Sequence, residues 1–330
     1  MLAVRFHGIK DVRCEDIEQV KAAPDQVLLD VIYGGICGSD LHIYREGMFV
    51  AKIPETMGHE FIGRVESAPK GSGFEPGDLV VGDPRVPCGV CPACERQETH
   101  RCAALGFIGE VSPGGFAEYL AIKPEKLIKL QPEVNPKQGV LAEPLAVALH
   151  ACHNIAAGNH ERALVLGAGP IGLLIAYLLK KHYGLGHVSI TDIDELRLQQ
   201  GQHTGADELL YDIAGSTASY DCLVDTVGVQ NVLNTALAAC APGGSLYISA
   251  IYEQMPLCDL NLLVGGELQL KGNNAYSFED LQEAAQLLNS GVYDFSWLIS
   301  DILSATRAAE AFMRLTAPQK RDLKILLDFS

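Results

Sequence analysis

Residues 163–179, ALVLGAGPIGLLIAYLL, constrain the fold more than any other stretch of the chain. The run is apolar throughout, yet it is shorter than the ~20 residues a membrane span needs, and Gly and Pro interrupt its middle. It reads as a buried strand (ALVL), a glycine turn and a buried helix (PIGLLIAYLLKKHYG). The same alternation continues. VSITD reads as a strand, ELRLQQGQHTG as a helix, YDCLVDTVG as a strand, NVLNTALAACAPGG as a helix and SLYISAI as a strand. Strands separated by helices of roughly ten to fifteen residues predict a doubly wound parallel sheet.

The turn has a chemical meaning in that setting. Gly167, Gly169 and Gly172, with Pro170 and Ile171 between the last two, follow a strand and open a helix. Glycines there let the backbone approach a pyrophosphate, and the helix N-terminus faces its charge. The next strand ends in Asp192, the residue type and spacing that accept both hydroxyls of an adenine ribose. A 2′-phosphate would be repelled there, so NAD is expected rather than NADP. The same glycine spacing also occurs in α/β turns that bind no nucleotide, and it is the flanking strand, helix and acid that favour the dinucleotide.

A second motif is spaced Cys88-x2-Cys91-x2-Cys94-x7-Cys102. Four thiols in that arrangement can close a tetrahedral zinc site with no open position, which folds a loop and does no chemistry. An iron–sulfur run of this kind ends C-x3-C-P, whereas here the last gap is seven and Ala103 follows. Disulfides suit small secreted chains. This one has 330 residues, no export signal at MLAVRFHGIKDVRCED, and ten cysteines, which point to a reducing, cytoplasmic setting. Cys14, Cys152, Cys222, Cys240 and Cys258 read as buried thiols. The net charge of −16 argues against nucleic acid and anionic membranes as partners.

The length suggests two domains. Residues 1–140 read as β-rich, with strand-like runs at 26–33, 60–68, 78–83 and 116–122, and an irregular stretch at 84–115 that carries the cysteines. LAVALHACHNIA begins the helical region. The tail adds a helix capped by Ser277 with Glu279 and Asp280 in its first turn, a second helix (TRAAEAFMRLTA), and a last strand, LKILLDF. Cys37, His59 and one carboxylate would satisfy the three-ligand count of a catalytic zinc with an open position. By spacing alone, Cys37 could equally be a small buried hydrophobe and the His59–Glu60 pair filler. His150 and His153, three apart on one helix, read as core or surface residues, because no third ligand stands near them.

Taken in order, GICGSDLHIY, GHEFIGRVE, the four-cysteine loop, GGFAEY, EPLAVALHA and GAGPIG resemble the motifs of the zinc-dependent medium-chain dehydrogenases. The resemblance runs from about residue 25 to the final strand, and EPL at 143–145 is similar to the polyol and sugar-acid branch (sorbitol, idonate and galactonate dehydrogenase-like), with threonine dehydrogenase close by. It implies a Rossmann domain of residues 144–273. It also implies a GroES-like, β-rich barrel catalytic domain of residues 1–143 and 274–330, with a zinc lobe at 84–115. By the same resemblance Cys37 and His59 are catalytic zinc ligands. Glu60 and Glu143 are carboxylates that bind the metal or exchange with its water. Asp40 orients the histidine ligand, Ser39 takes the substrate proton and His42 relays it.

Further from the metal, Arg197 packs on the adenosine ribose. Thr226, Ser249, Ile251 and Asn273 fall where the nicotinamide half is held, and Lys324 where a basic residue meets the pyrophosphate. The implied reaction is reversible oxidation of a secondary alcohol of a polyol or sugar acid to a ketone, with hydride transfer to NAD+. Two zinc ions per chain and a homodimer or homotetramer are implied as well. Tyr44, Arg45, Met48 and Phe49 are expected near the substrate, where Arg45 either pairs a sugar-acid carboxylate or a phosphate or is a plain surface arginine. L-threonine or a simple alcohol is the alternative substrate, and a non-catalytic NAD- and zinc-binding sensor is the alternative from another class.

Overall fold

The computed structural model describes residues 1–213, 217–318 and 321–330. It divides into two compact units, one of Met1–Ala146 and Ser277–Ser330, the other of Val147–Tyr276.

The first unit is built on β-structure. Its larger sheet runs in the order Leu127–Lys129, Leu79–Gly82, Glu60–Ser67, Val27–Gly35, Lys324–Asp328 and Ile299–Ser304, and Tyr119–Ile122 also pairs with Val27–Gly35. Val27–Gly35 is central because its alternate residues Val27, Leu29 and Val31 are all fully buried. They join Phe6, Met57, Phe61, Phe116, Phe312 and Ile325 in one core. The antiparallel register sets Gly35 opposite both Glu60 and Leu326. The chain's last strand is thereby laid on one side of the strand that leads to Cys37, with the strand that starts at Glu60 on the other. A smaller three-stranded sheet joins Asp11–Asp16, Leu2–Gly8 and Glu55–Thr56.

The second unit is a six-stranded sheet, ordered Glu208–Leu210, His187–Thr191, Arg162–Leu166, Tyr220–Asp225, Cys240–Ile248 and Gln269–Gly272. Every pairing in it is parallel. The inner strands are continuous apolar runs because helices cover both faces of such a sheet. The strand order reverses between Arg162–Leu166 and Tyr220–Asp225, and a crevice outside the strand C-termini at such a point is where α/β sheets bind ligands.

Local structure departs from the sequence reading in small ways. The helix after the glycine turn is regular only over Pro170–Tyr177 and widens into a π-turn over Leu178–His182. The APGG segment after the helix Gln230–Ala239 belongs to the following strand, and a short helix, Leu260–Gly266, was not anticipated.

Candidate functional site

The candidate metal site sits where three elements of the first unit meet. The strand Val27–Gly35 delivers the chain to Cys37, which caps the helix Gly38–Glu46. Asp40, in the first turn of that helix, folds back so that Oδ2 accepts the Cys37 amide at 2.9 Å. This capping box fixes Cys37 and buries Asp40 completely. Glu60 begins the neighbouring strand, and His59 stands just before it in a turn that needs Gly58. Gly58 has φ +95°, and a Cβ on it would lie 2.1 Å from the Phe116 ring. Gly35 leaves room for Glu60, since its Cβ would fall 2.2 Å from Oε2.

Ligand atoms of Cys37, His59 and Glu60 lie within 4.8 Å of one another. Ser39 Oγ is 3.2 Å from His59 Nε2. On the far side of the ring, His59 Nδ1 faces Asp40 Oδ1 at 3.7 Å, and both atoms are buried without a hydrogen-bond partner. A histidine that binds metal through Nε2 directs its other N–H at such a carboxylate. Burial alone would pull the His59 pKa down, but Asp40 foremost, then Cys37 and Glu143, hold it well above the ordinary value. Burial pushes the Asp40 carboxyl up, against the pull of His59. The negative potential that favours a proton on His59 is the potential that favours a cation beside it. Glu143 contributes through this field and stands outside the tight ligand group.

Lys324 is the largest change from the sequence reading. Expected at a pyrophosphate, its buried ammonium instead bonds to both Glu60 oxygens (2.7 and 2.8 Å) and to the Ile36 carbonyl (2.9 Å). Burial is the strongest single influence and lowers its pKa, but the Glu60 charge and bond, with Cys37 and Glu143, together hold it above the ordinary value. The register of the last strand brings the residue there, and no local sequence signal announces it. Tyr44 also differs from its expected place, because it packs on Phe312 in the core rather than lining open space. Arg45 donates from Nη2 to His42 Nδ1 at 3.2 Å, since a guanidinium cannot accept.

The cysteine lobe closes on itself. The four Sγ atoms of Cys88, Cys91, Cys94 and Cys102 lie within 4.8 Å of one another, with Cys88–Cys94 at 4.0 Å and Cys91–Cys94 at 3.6 Å. Tetrahedral zinc with ~2.3 Å bonds to sulfur sets neighbouring sulfurs about 3.8 Å apart, so the arrangement fits. The amides of Cys88 and Ala104 donate to Cys102 Sγ and help hold its pKa down. At the base of the lobe Arg85, almost fully buried, pairs with Asp83.

In the second unit, Gly167 has φ +102°, and a Cβ on Gly172 would lie 2.0 Å from the Gly167 carbonyl oxygen. A Cβ on Gly169 would meet nothing within 4 Å, so the backbone above the helix N-terminus is open. Asp192 accepts the amides of Ala168 (2.7 Å) and Asp194 (2.9 Å), which ties it to the glycine turn. Arg197 Nε, close in sequence, is buried without a partner. Thr226, Ser249, Ile251 and Asn273 all follow the C-terminal ends of neighbouring strands. Thr226 bonds to the Leu166 carbonyl, and Asn273 to Ser249 at 2.9 Å. Sequence reasoning passed over Asp225. This fully buried acid accepts the amides of Val227 and Gly228 and the Tyr252 hydroxyl. A lone acid ending an apolar strand, as Asp192 does, was the available signal.

His150 and His153 join no group able to hold a metal among the described residues, and His153 packs edge-on against Tyr183. Cys152, Cys222 and Cys240 are buried, while Cys14 and Cys258 are partly so. No helix among the described residues is long and apolar enough to cross a membrane.

Residues 23–132 match the alcohol dehydrogenase GroES-like domain and residues 170–290 the zinc-binding dehydrogenase family. Over 324 residues the chain is 33% identical to 2-dehydro-3-deoxy-L-galactonate 5-dehydrogenase of Pseudoalteromonas atlantica, covering 96% of this chain and 95% of that one. The chain belongs to the zinc-binding dehydrogenases. Among solved structures this dehydrogenase is similar to the Bacillus subtilis butanediol enzyme, with a TM-score of 0.89, 30% identity and 99% of each chain covered. It is also similar to L-idonate 5-dehydrogenase of Escherichia coli K-12, with a TM-score of 0.91, 27% identity, and 99% and 97% covered. These relatives place the dehydrogenase in the polyol branch of the zinc-type medium-chain enzymes, whose general reaction is alcohol oxidoreduction with zinc and a nicotinamide dinucleotide. The donor sets fit those cofactors. The buried Cys37–His59–Glu60 group, with its partnerless Asp40 and His59 atoms, suits a catalytic zinc, and the four-sulfur lobe suits a structural one.

Proposed function

We propose that this protein reversibly oxidises a secondary alcohol of a polyol or sugar acid to the ketone, with NAD+ as the acceptor. The observation that carries the reading is the buried Cys37–His59–Glu60 group with Ser39 beside it. Zinc held by Cys37, His59 and a carboxylate is a Lewis acid that makes a hydroxyl acidic near neutral pH. NAD supplies the hydride acceptor.

The chain's own residues do the rest. Ser39 is placed to accept the proton leaving the substrate hydroxyl. His42 relays it: Arg45, donating to Nδ1, sets the tautomer with hydrogen on Nε2, and a proton taken up at Nδ1 as Arg45 gives way is matched by one released from Nε2. Asp40 holds His59 in one orientation. Lys324 neutralises Glu60, the carboxylate that would complete the zinc site with Cys37 and His59, while Glu143 adds negative charge to the field at His59. In the second unit the glycine turn receives the pyrophosphate, and Asp192 and Arg197 meet the adenosine ribose. Asp192 also disfavours a 2′-phosphate. Thr226, Ser249, Ile251 and Asn273 hold the nicotinamide half.

A homo-oligomer is part of the same reading. It is supported by the edge strand Gln269–Gly272, exposed along its length, and by Leu260 and Val264, exposed on the helix before it. Metal analysis and steady-state rates test the proposal together. Two zinc ions per chain and NADH formation on at least one class among polyols, aldonates, threonine and simple alcohols are expected. One zinc and no NADH on any of them would sink it.

A further inference from the structure

Glu110 is a buried acid that the mechanism above does not use. It is only 7% exposed and lies in the turn that follows the cysteine lobe. That turn is held firmly. The Gly109 amide donates to the Ser112 carbonyl at 2.6 Å, the Glu110 amide to the Phe107 carbonyl at 3.1 Å, and the Ala51 amide to the Glu110 carbonyl at 2.9 Å. Gly109 has φ +87°, and a Cβ on it would lie 2.7 Å from the Gly58 amide nitrogen. The turn is therefore laid directly against the residue preceding the ligand His59. Phe107, three residues before Glu110, sets its ring edge-on to the His59 ring at 5.8 Å.

Burial pushes the Glu110 carboxyl up to about 7, with His59 and the Phe107 amide pulling down and Asp40 pushing up, so it lies within electrostatic reach of the metal-ligand group. Among the described residues its carboxyl forms no salt bridge and bonds to the Phe107 backbone rather than to a side chain. A buried acid left without a cation costs stability, and a cost of that kind is retained where the group binds something. The charged groups that act on it are His59 and Asp40, and Lys324 is already bonded to Glu60. A carboxyl in that position favours a hydroxyl donor and repels a second carboxylate brought against it.

We infer that Glu110 is a specificity-determining residue, accepting a hydrogen bond from the hydroxyl next to the reacting carbon of a neutral diol or polyol and excluding substrates that carry a carboxylate there. The inference rests on the alcohol-oxidation reading above and narrows its substrate class to the neutral polyols.

Three small probes separate the possibilities: propylene glycol, isopropanol, which lacks the second hydroxyl, and lactate, which replaces it by a carboxylate. In the wild type, kcat/KM for propylene glycol should exceed that for isopropanol by roughly 10- to 100-fold, the range a hydrogen bond to a charged group provides. Glu110→Ala should bring the two within about threefold of each other by lowering the diol value alone. Glu110→Gln keeps an acceptor without the charge, so it should retain part of the diol preference and raise lactate relative to propylene glycol by about tenfold. Ratios taken within one enzyme cancel any loss of folded protein. A wild-type ratio that neither substitution changes overturns the inference while alcohol oxidation stands. A wild type that holds two zinc ions and oxidises none of the alcohols removes the parent reading, and this one with it.

Discussion

At the scale of single residues, two side chains carry sharp expectations. Removing Arg45 would raise KM for acidic sugars far more than for neutral polyols if it paired a substrate carboxylate. Its bond to His42 predicts something else. Arg45→Ala should lower kcat by at least about tenfold on neutral and acidic substrates alike, with KM little changed, because proton relay is what suffers. A loss confined to KM for aldonates would restore the carboxylate role. His160 bears on stability. Burial pushes its imidazole below the ordinary value, with Lys271 acting the same way and Asp221 opposing, while Nε2 meets the Tyr247 hydroxyl at 3.1 Å. The folded protein keeps His160 neutral where the unfolded chain takes up a proton. That contribution is present above the unfolded pKa of about 6.5 and is lost as pH falls below it. His160→Gln should therefore show a shallower fall in Tm between about pH 6.5 and pH 5 than the wild type. Equal slopes would assign the acid sensitivity to another group.

At the scale of elements, caps and glycines set the geometry. Ser277 and Asp280 exchange side-chain and backbone bonds at the start of the helix Phe278–Ser290, a box that was legible as Ser277 followed by acids. Ser277→Ala should cost about 1 kcal/mol, read as a shift in the denaturant midpoint with an unchanged slope. The glycine turn is less forgiving. A methyl group at Gly172 has nowhere to go, with the Gly167 carbonyl 2.0 Å away and Thr226 Oγ1 at 2.9 Å. Gly172→Ala should weaken NADH binding at least about tenfold in a fluorescence titration while leaving the zinc content at two, because the metal-binding groups lie in the other unit. The strands and helices of the second unit were readable because a parallel sheet covered on both faces is written as apolar runs set apart by helical periods. The π-turn at Leu178–His182 was not, since nothing in LLKKH differs locally from an ordinary helix end.

At the scale of the whole molecule, the two zinc sets have separable roles. The lobe contributes four sulfurs to a closed site, and the catalytic group uses none of them. Cys88→Ser should lower zinc from two ions to one and reduce thermal stability or assembly first. The remaining ion should stay with Cys37 and His59, and kcat should remain within about threefold while the chain is folded. Complete loss of turnover in a folded, assembled variant would tie the lobe to the chemistry after all.

Features that depend on spacing along the chain could be read from residue order alone. The four-cysteine cage, the glycine turn with Asp192, and the strand–helix alternation are local patterns whose physics acts over a few turns of backbone, so order and residue type suffice to read them. Cys37, His59 and Glu60 were legible as candidates only through family motifs, because their convergence depends on a register between strands that no local rule states. It takes the folded chain to bring Glu60, rather than Glu143, into the tight group with Cys37 and His59, and to bring Lys324 from the last strand to neutralise it. The same is true of Glu110, which is brought against the His59 turn by two glycine backbones in contact, Gly58 and Gly109. Buried charges of that kind are defined by what surrounds them. Their surroundings come from segments far apart in sequence, and the pairing of strands brings those segments together.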